Sequence, residues 1–204
     1  LFALGEGVIS YIYKECITIE LKKPFHHITH REAMERYGTD KPDLRYEMFL
    51  NDVTELAKKS DFKVFKDVIE KGGVVKCIAA PKDISRNELD TYITFCQQNG
   101  AKGMAWARVT EEGMESTISK FFSVDLQKEI IKHAGAKKGN TLLFIADTFK
   151  ITHAVLDKLR QKLAQDLGLL KGKEHDYQFC WVLDFPLFEW NEEEDRWEPA
   201  HHPF

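Results

Sequence analysis

Three short apolar runs set between capped helices constrain this chain more than any other feature. They are Val74 to Ala80 (VVKCIAA), Met104 to Val109 (MAWARV) and Thr141 to Ala146 (TLLFIA). Gly72-Gly73 opens the first and Pro81 closes it; the second alternates with Ala105 and Ala107; the third is almost wholly apolar. Each reads as a strand. Ser85-Arg86-Asn87-Glu88 has the form of a capping box and starts a helix that ends at Gly100. Ser123 caps a second helix, which runs to Ala134 with Gly135 as its stop. A long amphipathic helix follows from about Thr148 to Leu167, then a strand from Gln178 to Leu183. Phe188 to Trp190 and Arg196-Trp197 flank an acidic turn that reads as a solvated hairpin tip. Strands alternating with helices of ten or more residues indicate an α/β or α+β unit.

The first seventy residues have a different texture. Residues 2 to 21 read as one helix, which Pro24 ends. Thr29-His30-Arg31-Glu32 forms another capping box, and its short helix stops at Gly38. Asn51 is the expected N-cap of a helix ending near Ser60.

With 204 residues and 43% apolar content, the chain can bury a core, which excludes a disordered segment. No run approaches eighteen uncharged apolar residues, so a membrane-spanning helix is excluded as well. The formal charge of −4 provides no global basic field, and any nucleic-acid contact must come from local patches. Cys16, Cys77, Cys96 and Cys180 sit among apolar neighbours without a CxxC pair. They are expected to be buried, reduced thiols, and with no signal-peptide pattern in residues 1–10 the expected compartment is the cytoplasm. The chain starts on Leu1 and stops at His201-His202-Pro203-Phe204, which suggests a processed chain or an excised piece of a longer one.

Chemistry-bearing residues are sparse. His26, His27 and His30 form one histidine group, His201 and His202 another. Adjacent histidines point apart, and Pro24 with the cap at Thr29 leaves His26 outside the following helix, so a metal site is the weaker reading. Gly72-Gly73 and Gly100-Ala101-Lys102-Gly103 precede strands, where a phosphate loop needs a following helix; they read as turns. Asp184 either orients a neighbouring side chain or caps a strand before Pro186, and the second is favoured. The loop from Arg36 to Arg45 gathers five charges around Pro42 between two helices. Lys41 and Arg45 either bind phosphate or pair with Asp40 and Asp43; residue types favour the ion pairs.

That loop, RYGTDKPDLRY at 36 to 46, closely resembles a signature of bacterial-type aspartyl-tRNA synthetases, a class II family. The resemblance continues in order through GGVVKCIAAP (72 to 81), GAKGMAWARV (100 to 109), STISKFF (116 to 122), NTLLFIAD (140 to 147), LRQKLAQDLGLL (159 to 170), WVLDFPLFEW (181 to 190) and AHHPF (200 to 204). Thr117 stands where the family commonly has proline, and Cys77 where it commonly has alanine.

The resemblance implies an α+β chain: a GAD insertion domain at about 49–149, between catalytic-domain segments at 1–48 and 150–204. The implied activity of the parent is ATP-dependent aspartylation of tRNA, with ATP and Mg²⁺ in the full-length enzyme and no cofactor bound by this piece. Partners implied are tRNA, L-aspartate and ATP, with a homodimeric parent and no membrane. The main catalytic arginines of the family fall outside these residues, so no catalytic residue and no metal ligand is expected here. His201 is similar to a residue that contacts aspartate, and His202 is its neighbour; an imidazolium there supplies a charge-assisted hydrogen bond to an anionic substrate. Lys102, Arg108, Lys120, Lys137 and Lys138 are candidate tRNA phosphate contacts, against a plainer reading as solvated surface charge. A stand-alone GAD-type module that binds tRNA or a partner protein is the alternative, and a histidine-metal hydrolase a third.

Overall fold

The computed structural model describes residues 1–191 and 194–200. In chain order the elements are α1 (Phe2–Ile17), β1 (His26–Thr29), α2 (His30–Tyr37), β2 (Leu50–Asp52), α3 (Thr54–Ala57), α4 (Lys63–Glu70) and β3 (Val74–Ala80). There follow α5 (Arg86–Gln98), β4 (Ala105–Val109), β5 (Met114–Glu115), a 3₁₀ turn (Ser119–Phe121), α6 (Val124–His133), β6 (Thr141–Asp147) and α7 (Phe149–Asp166). Last come β7 (Cys180–Leu183), β8 (Phe188–Asn191) and β9 (Arg196–Pro199).

The three apolar runs form the centre of an antiparallel sheet of order β2-β3-β6-β4-β5. Its central strand, β6, is buried along nearly its whole length. The reason is packing on both faces. Leu143 and Ile145 point into a cluster with Leu89, Tyr92 and Cys96 of α5 and Val155, Leu156, Leu159 and Leu163 of α7. Leu142 and Phe144 point the other way, into a cluster with Ala57 of α3, Phe65 of α4 and Leu126 and Ile130 of α6. A strand with helices on both sides has no polar face, so its sequence reads as continuous rather than alternating.

The capping expectations hold at three helix starts and fail at one. Ser85 and Glu88 make the reciprocal box and Ser123 accepts from the Leu126 amide; Thr148, expected only as the approximate start of a helix, also caps α7 by accepting from the Ile151 amide. Thr29 caps α2 by accepting from the amide of Glu32, while the Glu32 carboxylate pairs with Arg36 at 3.0 Å. Asn51 is not a cap. It lies in β2 opposite Cys77, and its Nδ2 donates to the Phe49 carbonyl at 2.9 Å. Pairing with β3 captures this residue for the sheet, and the Asp52 carboxylate accepts from Thr54 at the start of α3 instead. Helix α4 starts at Phe62 without a side-chain cap, which is why no local signal announces it. Helix α1 stops four residues earlier than its apolar pattern suggests, at Thr18, whose φ of 59° is left-handed.

Outside the five-stranded sheet, β1 and β7 pair in parallel, with His26 opposite Cys180. Glu6, buried in α1, ties them: one carboxylate oxygen accepts from the Phe25 amide and from the Trp181 indole, both at 3.1 Å. Strands β8 and β9 form a separate hairpin in which Trp190 and Trp197 pack edge-to-face.

All four cysteines are free thiols, but the expectation that all are buried fails for two of them. Cys77 and Cys96 are in the core, Cys180 is half-buried and Cys16 is exposed on α1. Burial pushes the Cys77 and Cys96 thiols up to about 12. Alkylation at pH 8 followed by mass spectrometry is therefore expected to modify Cys16 first and Cys180 more slowly. Cys77 and Cys96 should react only after denaturant is added.

Candidate functional site

The loop that carries the most distinctive sequence motif is organised by one side chain. Arg160 lies on α7 among Leu156, Leu159 and Leu163 and is 1% exposed. Its Nε donates to the Met48 carbonyl at 3.2 Å. Its Nη2 lies 2.7 Å from the Tyr46 carbonyl, 3.0 Å from that of Asp43 and 3.1 Å from that of Glu47. Nη2 has two hydrogens for three acceptors, so one hydrogen is shared. The guanidinium also lies 4.1 Å from the Tyr46 ring centre and 4.9 Å from that of Tyr37.

These contacts convert residues 43–48 from a flexible connection into a fixed one. Four carbonyls of an irregular segment cannot satisfy one another, and buried polar groups need partners. Arg160 supplies them together, with two aromatic faces to replace part of its lost hydration. Burial lowers the pKa of Arg160, against opposing influence from Tyr46, Tyr37 and Asp43, yet a guanidinium in a protein stays charged. Met48 sits at φ 66°, a left-handed conformation costly for a residue with a β-carbon, and its carbonyl is one of the four that Arg160 holds.

Further ties close the same loop. The Asp43 carboxylate accepts from Arg45 Nε at 2.9 Å and from Arg45 Nη2 at 2.7 Å. Burial would raise the Asp43 carboxyl, but the hydrogen bonds and charge of Arg45 outweigh it and hold the group below its ordinary range. Lys173 donates to the Arg45 carbonyl. The ion-pair reading of this loop is thus correct for Arg45 and Asp43; Lys41 and Asp40 form no ion pair among the described residues. Gly38, at φ +79°, ends α2 where an added Cβ would lie 2.6 Å from the His153 carbonyl of α7. Only glycine permits that approach of α2 to α7.

The histidines at the chain's start do not converge. His27 packs against Phe2 at 4.8 Å, and His30 against Phe185 at 4.8 Å. Among the described residues, no three His, Cys, Asp or Glu side chains are grouped to hold a metal ion. His201 and His202 lie outside the described residues. Asp184 directly follows β7, at φ 57°.

The five candidate phosphate contacts are spread over separate turns and strand ends. Lys102 is 3.7 Å from the buried Asp147 carboxylate. Arg108 pairs with Asp83 at 2.7 Å and donates to the Ile84 carbonyl at 3.0 Å. Lys138 pairs with Glu111. Lys120 lies over the Phe121 ring at 5.1 Å, and Lys137 is exposed at the turn before β6; neither has an ion-pair partner among the described residues.

Sequence reasoning missed Arg160, Glu6 and Lys76. A signal existed for two of them. Arg160 interrupts the apolar stripe 156, 159, 163 on α7, and Lys76 interrupts an apolar strand on the face shared with Ile78 and Ala80. A long cation at a core position announces a buried partner, though it does not say which one.

A sheet of this order, covered on both faces and joined to α2 through a locked loop, makes this an α+β chain. The stretch 65–156 matches the model of the GAD domain. Over 98% of its length the chain is 48% identical to an aspartate–tRNA(Asp/Asn) ligase of Persephonella marina and 46% identical to one of Natranaerobius thermophilus. It is 42% identical over 99% of its length to an aspartate–tRNA ligase of Macrococcus caseolyticus. The chain covers 33%, 34% and 34% of those three relatives. The GAD match therefore falls within a longer stretch that is similar to aspartate–tRNA ligases, and the chain spans about a third of the length of the relatives it matches.

Replacing Arg160 with Met should leave the four carbonyls of residues 43–48 without a donor. The expected loss is about 3–5 kcal/mol of unfolding free energy, measured by urea titration. Limited proteolysis should cut first between Asp43 and Met48. Arg160→Lys should recover only part of the loss, because one ammonium cannot span the same set of carbonyls.

Proposed function

We propose that this chain is a fragment of an aspartate–tRNA ligase, whose parent joins L-aspartate to tRNA with conversion of ATP to AMP and pyrophosphate, and that the fragment alone is inactive. One observation carries the reading. Identity to the ligases runs through 98% of the chain, well beyond the GAD match on both sides. A stand-alone GAD module accounts for the sheet but not for those flanks. The physical surface agrees: Leu4, Val8, Tyr11 and Ile12 form an exposed apolar stripe on α1, and Leu187 and Trp197 are exposed in the hairpin region. Stripes of this kind require a cover, which the rest of such a parent supplies.

The domain division that goes with this reading is a GAD unit at 49–149 between catalytic-domain segments at 1–48 and 150–204. His201 and His202 then belong to the aspartate subsite of the parent, a cytoplasmic homodimer. The described residues present no carboxylate set suited to a cation, and no step through ATP or Mg²⁺ is assigned to them. In the parent, these would neutralise phosphate charge at residues outside this chain.

The same reading gives Lys102, Arg108, Lys120, Lys137 and Lys138 to tRNA phosphates. Ion pairing within the protein weakens three of them as phosphate ligands, because each must first give up its carboxylate. Lys120 and Lys137 are the two with their charge available.

Two measurements test the proposal. The chain alone should show no aspartate-dependent ATP–pyrophosphate exchange above background; measurable exchange would overturn the claim that it lacks the catalytic machinery. Filter binding of tRNA should weaken as salt rises, and the double variant Lys120→Glu, Lys137→Glu should reduce both affinity and salt slope. An unchanged slope would remove these two residues from the interface.

A further inference from the structure

A second buried cation lies where the GAD sheet meets α2. Lys76 is 2% exposed and projects from β3 towards α2 and α7. Its ammonium donates to the Glu35 carbonyl at 3.3 Å. That carbonyl is among the last four of α2, which have no partner within the helix and carry its negative dipole end. The Asp52 carboxylate of β2 is 3.9 Å away and half-exposed, and the Phe149 ring of α7 lies 5.9 Å from the ammonium. Lys76 thus holds the end of α2 on a sheet that belongs to a different part of the chain.

His153 of α7 shares this pocket. It is 1% exposed, its Nδ1 is 2.7 Å from the Phe149 carbonyl, and its Nε2 is buried without a hydrogen-bond partner. A carbonyl only accepts, so Nδ1 carries the proton and Nε2 presents a lone pair. The groups acting on this imidazole are Lys76 from β3, Asp52 from β2 and Glu35 from α2. The main chain of His153 is also the point that α2 approaches at Gly38. One residue of α7 therefore stands against the end of α2, and its ring packs at 3.8 Å on Phe149, the same ring over which the Lys76 ammonium lies at 5.9 Å.

We propose that Lys76 and His153 form an acid-sensitive latch between the sheet and α2. With His153 neutral, the Lys76 ammonium holds the Glu35 carbonyl. A proton on His153 puts a second cation, and an N–H without an acceptor, in the same buried space. The 38–48 loop and α2 then leave the sheet, which rehydrates both charges.

The direction follows from linkage. Burial, joined by the charge of Lys76, holds the His153 pKa below its ordinary 6.5, while the Phe149 carbonyl, Asp52 and Glu35 oppose it. The opened state binds the proton more readily, so the latch is intact above pH 6.5 and weakens as pH falls below that value. Opening is favoured at pH 5.5 relative to pH 7.5 by at most about tenfold, the ceiling set by an open-state pKa of about 6.5.

Amide hydrogen exchange on the full chain at pH 7.5 and 5.5, corrected for intrinsic rates, provides the test. Amides of α2 and the 38–48 loop are expected to lose protection at the lower pH, by up to about tenfold, while those of α5 do not. His153→Gln should remove that loss. Equal loss in the variant and the parent, or no loss in the parent, overturns the latch. An NMR titration of His153 in the unsubstituted chain gives an answer independent of whether the variant folds. Titration clearly below 6.5 supports the latch, and titration at or above 6.5 overturns it.

Discussion

The contact between the Arg160 guanidinium and four carbonyls of residues 43–48 supports the way α7 and the loop between α2 and β2 are joined. A loop of that length between α2 and β2 has no regular partners for its backbone. Without a donor from elsewhere, its carbonyls would have to face water. Arg160 comes from α7, which is itself anchored by Leu156, Leu159 and Leu163 against the sheet. Sheet, helix and loop therefore form one continuous chain of packing. The cation is expensive to bury, and the two tyrosine rings with the full set of acceptors offset that cost.

Two other buried polar groups do similar work at other joints. Glu6 accepts from the Phe25 amide immediately before β1 and from the Trp181 side chain of β7, so it fixes α1 on the small parallel pair. Lys76 satisfies the open end of α2 from the sheet side. In each case, a charged side chain reaches backbone or indole groups on an element distant in sequence. Apolar packing could hold these elements together, but it is non-directional; a carboxylate or ammonium aimed at named groups also fixes their register. The GAD match covers the sheet from α4 through the first half of α7, and the elements held by these polar ties lie on or beyond its edges.

Much of the fold was legible from the chain. The runs at 74–80, 104–109 and 141–146 hold strands, and Thr29, Ser85 and Ser123 are caps, because caps and apolar periodicity are local in origin. The failures have an equally physical cause. Asn51 is a good cap in isolation, yet a strand partner 26 residues away claims its backbone. Helix α4 has no capping residue and forms because Phe65 packs against Phe122 and Phe144. Cys16 looked like a core residue from its neighbours, but the stripe it borders faces outward.

Sequence by itself determined apolar strands alternating with capped helices, an α/β or α+β unit, and its ordered motifs resembled the aspartyl-tRNA synthetase family, which implies α+β. It also singled out the 36–46 loop, with five charges around Pro42, as the segment most distinctive in pattern. Only the tertiary structure decided which charges in and around that loop are satisfied internally. Asp43 and Arg45 pair with one another, but the residue that holds the loop is 114 positions from Tyr46. Spacing along a chain reports helix faces and strand alternation, since those depend on neighbours. A buried cation's partners depend on which distant backbone groups the folding leaves without hydrogen bonds, and no local pattern encodes that.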